Sequence, residues 1–111
     1  MKKILAIALI LCLLFCQAAW AATCERTVSA DLTFSRRMAY CSVTVIVMSD
    51  YDLTMELWNN GYILDTWHKT GTIGTTITEM YPAVHGETYT LKVYGTADGQ
   101  TVNCTPITRT Y

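Results

Sequence analysis

Apolar and polar residues alternate with a period of two along the chain beyond residue 21, and helical periodicity is absent there. Such alternation is typical of strands that turn one face to a core and the other to solvent. Runs of this kind lie at residues 28–34, 41–47, 53–58, 62–69, 75–79 and 89–94, and from residue 102 onward. Turn residues separate them at intervals of roughly eight to twelve residues. The pattern predicts an all-β domain of about seven short antiparallel strands.

One turn predicts how the third and fourth strands pair. Asn60-Gly61 lies between them, and Asn-Gly is a strong hairpin signal because a type I′ turn needs positive φ at both central residues. A regular hairpin centred on this turn places Trp58 opposite Ile63 and Thr54 opposite Trp67. Both tryptophans then lie on the outward face of the sheet. The same register sets two acidic side chains opposite each other, which calls for a nearby cation or a solvated setting.

The predicted outward face is a candidate binding surface. It consists of three aromatic residues and three charged neighbours, namely Trp58, Trp67 and Tyr94 with Glu56, Asp65 and Lys92. Flat aromatic rings beside carboxylates and hydroxyls suit stacking on a sugar ring, and they also anchor protein partners. The competing interpretation is that the rings only cover the sheet and form cross-strand pairs. A binding role for this face is therefore a hypothesis.

The stretch from Val84 to Val93 indicates a more specific fold class within the all-β proteins. Its residues, Val-His-Gly-Glu-Thr-Tyr-Thr-Leu-Lys-Val, resemble the corner between strands E and F of fibronectin type III and related immunoglobulin-like modules. In those folds a Tyr after a Gly turn hydrogen-bonds back to the corner backbone, and the resemblance implies this role for Tyr89. It also implies an antiparallel sandwich of two sheets. The second strand lacks the Trp expected of fibronectin type III, and the strand of Tyr89 has no Cys to pair with Cys41 as in antibody domains.

The first 21 residues have the features of a secretory signal peptide. Lys2 and Lys3 precede an uncharged apolar run at residues 4–15, and Ala19-Trp20-Ala21 supplies small residues at the cleavage positions. The run is shorter than the roughly 20 residues that a membrane-spanning helix needs. We expect a signal-peptide helix at residues 1–21 and a single sandwich domain at residues 22–111. The domain is expected to be secreted, or periplasmic in a double-membrane cell, without a stable membrane anchor.

Composition and charge narrow the partner class. Charged residues make up 15% of the chain, and the formal net charge is -1. Cleavage after Ala21 removes two of the eight basic residues and none of the nine acidic ones, which leaves a charge of −3. Nucleic-acid binders need a basic stripe, so we expect no nucleic-acid partner. The chain also resembles small, single-domain, secreted bacterial proteins whose role is not established.

Three cysteines follow the predicted cleavage site, and an odd number in an oxidising compartment leaves at least one thiol without an internal partner. We expect a disulfide between Cys24 and Cys104, because the first and last strands of the sandwich lie close together. The alternatives are a bridge between Cys41 and Cys104, or no internal bridge. The remaining cysteine is either a buried small apolar residue or the site of a bridge between two molecules.

No residues in the sequence have the spacing of a metal site or a catalytic centre. Asp50, Asp52 and Asp98 come to one end of the predicted sandwich, but calcium sites usually need more oxygen ligands in a set geometry. His68 and His85 have no His or Cys at metal-ligand spacing. No nucleophile elbow or Gly-rich phosphate loop is present. We therefore expect no metal, no cofactor and no enzymatic activity.

These observations favour a secreted, non-catalytic binding or interaction module that uses its outward aromatic face. Its expected partner is an extracellular protein or a glycan. A carbohydrate-binding module is one alternative. The other alternative is a structural or assembly protein that forms oligomers through the spare cysteine.

Overall fold

Antiparallel strands make up most of the described part of the chain. The computed structural model describes residues 22–25, 28–46 and 49–111, so the predicted signal peptide lies outside the described residues. Within these ranges no helix is long and apolar enough to cross a membrane. The strands are β1 (Ala22–Glu25), β2 (Val28–Ser35), β3 (Met38–Val45), β4 (Tyr51–Asn59), β5 (Tyr62–Gly71), β6 (Thr76–Pro82), β7 (Thr88–Ala97), β8 (Gln100–Asn103) and β9 (Ile107–Thr110).

The strands form two sheets, which confirms the predicted all-β antiparallel sandwich. One sheet has the order β1-β2-β3-β6, and the other has the order β5-β4-β7-β8, with β9 also paired to β7. The order is compatible with an immunoglobulin-like or fibronectin type III-like sandwich. Two details were not predicted. β1 adds a strand before the first one, and the last strand is divided into β8 and β9 by residues 104–106, where Pro106 supplies no ladder donor.

The core lies between the sheets and is built from the inward residues of each alternating run. Three strands, β3, β4 and β7, follow the predicted pattern, and their inward positions are almost completely buried. No polar or charged residue is buried among the described residues. The largest fully buried side chains are Leu32, Leu53, Met55, Leu57, Leu91, Val28, Val43, Val45, Val93, Val102 and Cys41.

In the described ranges, three two-residue turns connect neighbouring strands with positive φ at both central residues, as type I′ hairpins require. Asn60 and Gly61 have φ values of 52° and 79°, and Asp98 and Gly99 have values of 53° and 69°. The third turn is made by Arg36-Arg37, with φ values of 51° and 63°. Arginine is rarely found in this left-handed region because its Cβ crowds the backbone. The type I′ turn predicted at Asn60-Gly61 is confirmed, whereas Arg-Arg is not a pair that favours this turn type.

A β-bulge in the β4–β5 hairpin changes part of the predicted register. Trp58 opposes Ile63 as predicted, but the pairing shifts between Leu57 and Trp58, so that Trp67 opposes Met55. Because opposed side chains point to the same face, this one-residue shift turns Trp67 toward the core. Trp67 is partly buried and packs against the core residues. The predicted outward position of Trp67 is wrong.

Asp65 changes face together with Trp67. It opposes Leu57, whereas Glu56 opposes Thr66 on β5 and Lys92 on β7. The predicted pairing of Glu56 with Asp65 is therefore also wrong. The shift has a favourable consequence, because it separates two carboxylates and gives Glu56 a cationic neighbour across the sheet.

Aromatic rings close the end of the sandwich where Tyr89 lies. The Tyr89 side chain is buried, and its hydroxyl accepts a 2.9 Å hydrogen bond from the Val84 amide, the geometry of a tyrosine corner. The ring of Phe34 lies 5.6 Å from that of Tyr89 and stacks on Tyr111 at 5.0 Å. The Tyr111 hydroxyl accepts a 2.7 Å hydrogen bond from the Arg37 amide. These contacts tie the Arg36-Arg37 turn to the last residue of the chain.

Two of the cysteines beyond residue 21 lie in the interior. Cys41 is a free thiol with no exposed surface, so the alternative bridge between Cys41 and Cys104 is not formed. Cys104 is buried, with 4% of its surface exposed. The side chain of Cys24 lies outside the described part, and the Cys24–Cys104 bridge stays a prediction.

Candidate functional site

The outward surface of β4 and β7 carries four of the six predicted binding residues in one connected group. We call this surface the β4–β7 face and define it by Glu56, Trp58, Lys92 and Tyr94. It forms because alternation in both strands sends their apolar residues inward and these four side chains outward.

Glu56 lies at the centre of the β4–β7 face and fixes two aromatic side chains. Its Oε1 atom accepts a 3.0 Å hydrogen bond from the indole Nε1 of Trp58. Its Oε2 atom accepts a 2.7 Å hydrogen bond from the hydroxyl of Tyr94. The hydrogen bond to Glu56 raises the pKa of Tyr94, with smaller contributions from desolvation and from the negative charge of Glu56. One carboxylate thereby sets the orientation of both rings.

Lys92 completes the group from the neighbouring strand. Its Nζ atom lies 4.1 Å from the centroid of the Trp58 ring, within the range of a cation–π interaction. Glu56 is the residue directly opposite Lys92 in the ladder. The ammonium group of Lys92 makes no hydrogen bond or ion pair within the described residues. Its donors therefore remain available on an outward surface.

A groove of about 380 Å³ borders the Trp58 ring at the end of the β4–β7 face. We call it the Trp58 groove. It is lined by Trp58, Asn59, Asn60, Gly61, Thr88, Thr90 and Lys92. Its lining combines one indole ring, two amides, two hydroxyls and one ammonium group, and it contains no carboxylate.

Hydrogen bonds hold the polar wall of the Trp58 groove in place. The hydroxyls of Thr88 and Thr90 hydrogen-bond to those of Thr110 and Thr108, at 2.7 Å and 2.9 Å. The side-chain amide of Asn59 donates a 2.8 Å hydrogen bond to the carbonyl oxygen of Thr88. The wall and the β4–β5 turn are thereby linked to one another.

The structure does not bring Trp67 and Asp65 to this surface. Trp67 packs against the core from the edge strand β5, and Asp65 lies close enough to Cys41 to raise the pKa of its thiol. His68 takes the outward position that the regular register assigns to Trp67, opposite Thr54. The imidazole Nε2 of His68 lies 2.5 Å from a carboxylate oxygen of Asp52.

The predicted binding residues do not include five of the residues that line the groove. Three lie at the β4–β5 hairpin, namely Asn59 at the end of β4 with Asn60 and Gly61 of the turn, and two are Thr88 and Thr90 on β7. The Asn-Gly signal gives the position of the turn in the sequence, but it does not show that the first residues of β7 pair beside it. That neighbourhood depends on the pairing of Asn59 with Tyr89, which only the tertiary structure reveals.

The acidic residues at the other end of the sandwich come together only in part. The Asp98 amide donates a 2.9 Å hydrogen bond to the Asp50 carbonyl oxygen, and Ser49 donates one of the same length to the Asp98 carboxylate. Asp52 is engaged with His68 instead. In the described ranges no group of three or more His, Cys, Asp or Glu side chains is arranged to hold a metal ion.

Comparisons with protein families, with curated proteins and with solved structures give no match to this chain.

Proposed function

We propose that the protein is a non-catalytic binding module whose ligand docks on the β4–β7 face at the Trp58 groove. The observation that carries this proposal is the joint fixation of Trp58 and Tyr94 by the two oxygens of Glu56, beside a groove of about 380 Å³. Tryptophan and tyrosine are the side chains that most often dominate binding energy. Rings already held in position lose less conformational freedom when a ligand binds, which favours affinity.

The shape of the Trp58 groove favours a carbohydrate over a protein as the ligand. Protein partners usually cover about 800 Å² on each side of an interface, whereas the groove is a local depression lined by seven residues. An indole ring offers a flat apolar surface for the C–H face of a sugar, and the amides and hydroxyls beside it match sugar hydroxyls. We therefore place a glycan before an extracellular protein as the partner.

The structure argues against assembly through Cys41. Its side chain has no exposed surface, and burial raises the pKa of its thiol to about 12. The thiolate is the reactive form in disulfide exchange, so a neutral, enclosed Cys41 does not form bridges between folded molecules. An oligomer linked by Cys41 would require the sandwich to open.

The fold subclass and the export of the protein are also proposals. We propose a fibronectin type III-like module, supported by the strand order and by the hydrogen bond of Tyr89 to the E–F corner. We also propose export directed by residues 1–21, supported by the sequence features of that segment, and an extracellular or periplasmic site of action.

Substituting the two tryptophans separately tests the proposed function. Soluble xylan, mannan, dextran and polygalacturonate serve as probes in affinity electrophoresis with the purified protein. We expect Trp58→Ala to abolish the retardation caused by whichever of these polymers binds. Trp67→Phe, the matched control, should leave it unchanged because Trp67 lies on the inner face. Retardation that survives Trp58→Ala, or that depends on Trp67, would contradict the proposal.

A further inference from the structure

We propose that the ligand of the Trp58 groove is an acidic saccharide, a sugar ring that carries a carboxylate or sulfate. This inference rests on the proposed function and specifies its substrate class. It follows from the charge of the groove lining. The charged residue in that lining is the cation Lys92, whereas the whole chain has a formal net charge of -1.

Lys92 supplies the only charge in the lining of the Trp58 groove. Two other cations of the described residues are paired with carboxylates: Lys69 lies 2.6 Å from Glu79, and Arg109 lies 3.2 Å from Asp31. The ammonium group of Lys92 instead lies over the indole ring of Trp58. A cation–π contact at an exposed site contributes only about 0.5–1 kcal/mol, and it leaves the ammonium N–H groups unused.

Glu56 does not neutralise this cation by a direct ion pair. Both of its carboxylate oxygens accept hydrogen bonds, from the indole of Trp58 and the hydroxyl of Tyr94, at 3.0 Å and 2.7 Å. No oxygen of Glu56 lies within ion-pair distance of the Lys92 ammonium in the described structure. Glu56 therefore orients the rings, while Lys92 faces the groove with its donors unoccupied.

The remaining lining groups are uncharged, and their amide and hydroxyl oxygens can accept hydrogen bonds from sugar hydroxyls. They comprise the amides of Asn59 and Asn60 and the hydroxyls of Thr88 and Thr90. An uncharged sugar would satisfy these groups and the indole but would leave Lys92 unmatched. An anionic peptide would satisfy Lys92 but would not use the combination of ring face and hydroxyl partners. An acidic saccharide matches the ammonium group of Lys92 as well as the indole, amide and hydroxyl groups of the lining.

Three polymers separate these possibilities in a binding measurement by calorimetry on the folded protein. Polygalacturonate carries carboxylates on sugar rings, dextran is an uncharged saccharide, and polyglutamate carries carboxylates without sugars. We expect polygalacturonate to bind roughly tenfold or more tightly than either of the others, the discrimination typical of one charge-assisted hydrogen bond.

Two lysine variants assign the preference to the groove. Lys92→Gln should lower polygalacturonate affinity roughly tenfold and dextran affinity by a smaller factor, because only polygalacturonate carries a charge for the Lys92 ammonium to bind. Lys69→Gln removes the same charge from the edge strand β5 and should have little effect, since Lys69 lies outside the groove and is paired with Glu79. Circular dichroism of both variants establishes that they are folded.

The outcomes distinguish this inference from the proposed function. Equal binding of dextran and polygalacturonate, or full polygalacturonate affinity in Lys92→Gln, would overturn the acidic class and leave a saccharide-binding groove. Equal binding of polyglutamate and polygalacturonate would show a general polyanion surface and would also overturn it. Binding of none of the saccharides by the folded protein would contradict the proposed carbohydrate ligand itself.

Discussion

The buried thiol of Cys41 makes the stability of the fold decrease with rising pH in the alkaline range. Burial, followed by the nearby charges of Glu79 and Asp65, raises its pKa from 9.0 to about 12 in the folded protein. The contribution of the neutral thiol to stability is therefore fully present below pH 9.0 and is lost as the pH rises toward about 12. Over that range the free energy of unfolding should fall by up to about 1.4 kcal/mol per pH unit from this group.

Urea unfolding at several alkaline pH values checks this expectation. Cys41→Ala is the comparison, because it removes the ionisable group while keeping a small apolar side chain. We expect the variant to be less stable than the original protein near neutral pH and to lose stability less steeply above pH 9.0. Parallel pH dependences in the two proteins would exclude Cys41 as the source.

Glu56 controls the ionisation of Tyr94 on the β4–β7 face. The hydrogen bond that Tyr94 donates to Glu56 raises the pKa of the phenol. Glu56→Gln keeps an acceptor oxygen but removes the negative charge, so the pKa of Tyr94 should decrease. Ultraviolet difference titration detects this change, and Tyr94→Phe identifies the signal. A Tyr94 titration that is unaffected by Glu56→Gln would show that the two side chains do not interact in solution.

At the scale of the strands, Gly95 allows β7 to approach β4 closely. Its φ is +145°, and a Cβ atom built there would lie 2.0 Å from the Asp52 carbonyl oxygen. Gly95→Ala should therefore destabilise the protein by about 2–3 kcal/mol. Gly86→Ala is the matched control: its φ is +88°, but a Cβ there meets nothing within 4 Å. We expect Gly86→Ala to cost only about 1 kcal/mol. Equal losses in thermal unfolding would contradict the close approach.

The Arg36-Arg37 turn is strained relative to the other two hairpins. Both residues occupy the left-handed region, which costs roughly 1–2 kcal/mol per residue for side chains other than glycine. The double substitution Arg36→Asn with Arg37→Gly installs the residues favoured in a type I′ turn. It should raise the free energy of unfolding by about 1–2 kcal/mol in urea titrations. A loss of stability would show that the arginine side chains contribute more than the turn strain costs.

The strands differ in how well the sequence predicts which of their residues lie inward. Strict alternation in β3, β4 and β7 allows only one face of each to be apolar, so fold class and inward residues follow from the sequence. The edge strand β5 has apolar residues on both faces, including Ile63, Leu64 and Trp67. The sequence of β5 therefore does not show which of its two sets of alternating residues lies inward. The bulge after Leu57 decides this, and no residue in the sequence marks its position.

For the whole molecule, we predict that Cys24 and Cys104 form a disulfide that closes nearly the entire domain. β1, which contains Cys24, contacts β8, which ends just before Cys104, and Cys41 is free. Closing a loop of roughly 80 residues should stabilise the fold by about 4 kcal/mol. Thiol labelling in denaturant without reductant should gain one thiol in Cys24→Ser and lose one in Cys41→Ser. A thiol count that falls or stays the same in Cys24→Ser would refute the bridge.

The central claim is that ligand binds on the outside of the sheet at Trp58 and not at Trp67. Nuclear magnetic resonance of the isotope-labelled protein tests it most directly, because each indole Nε1–H group gives its own resonance. During titration with soluble polygalacturonate, the account predicts that the Trp58 indole resonance shifts in proportion to binding while that of Trp67 does not move. A shift confined to Trp67, or to residues on the outer surface of the β1-β2-β3-β6 sheet, would contradict it.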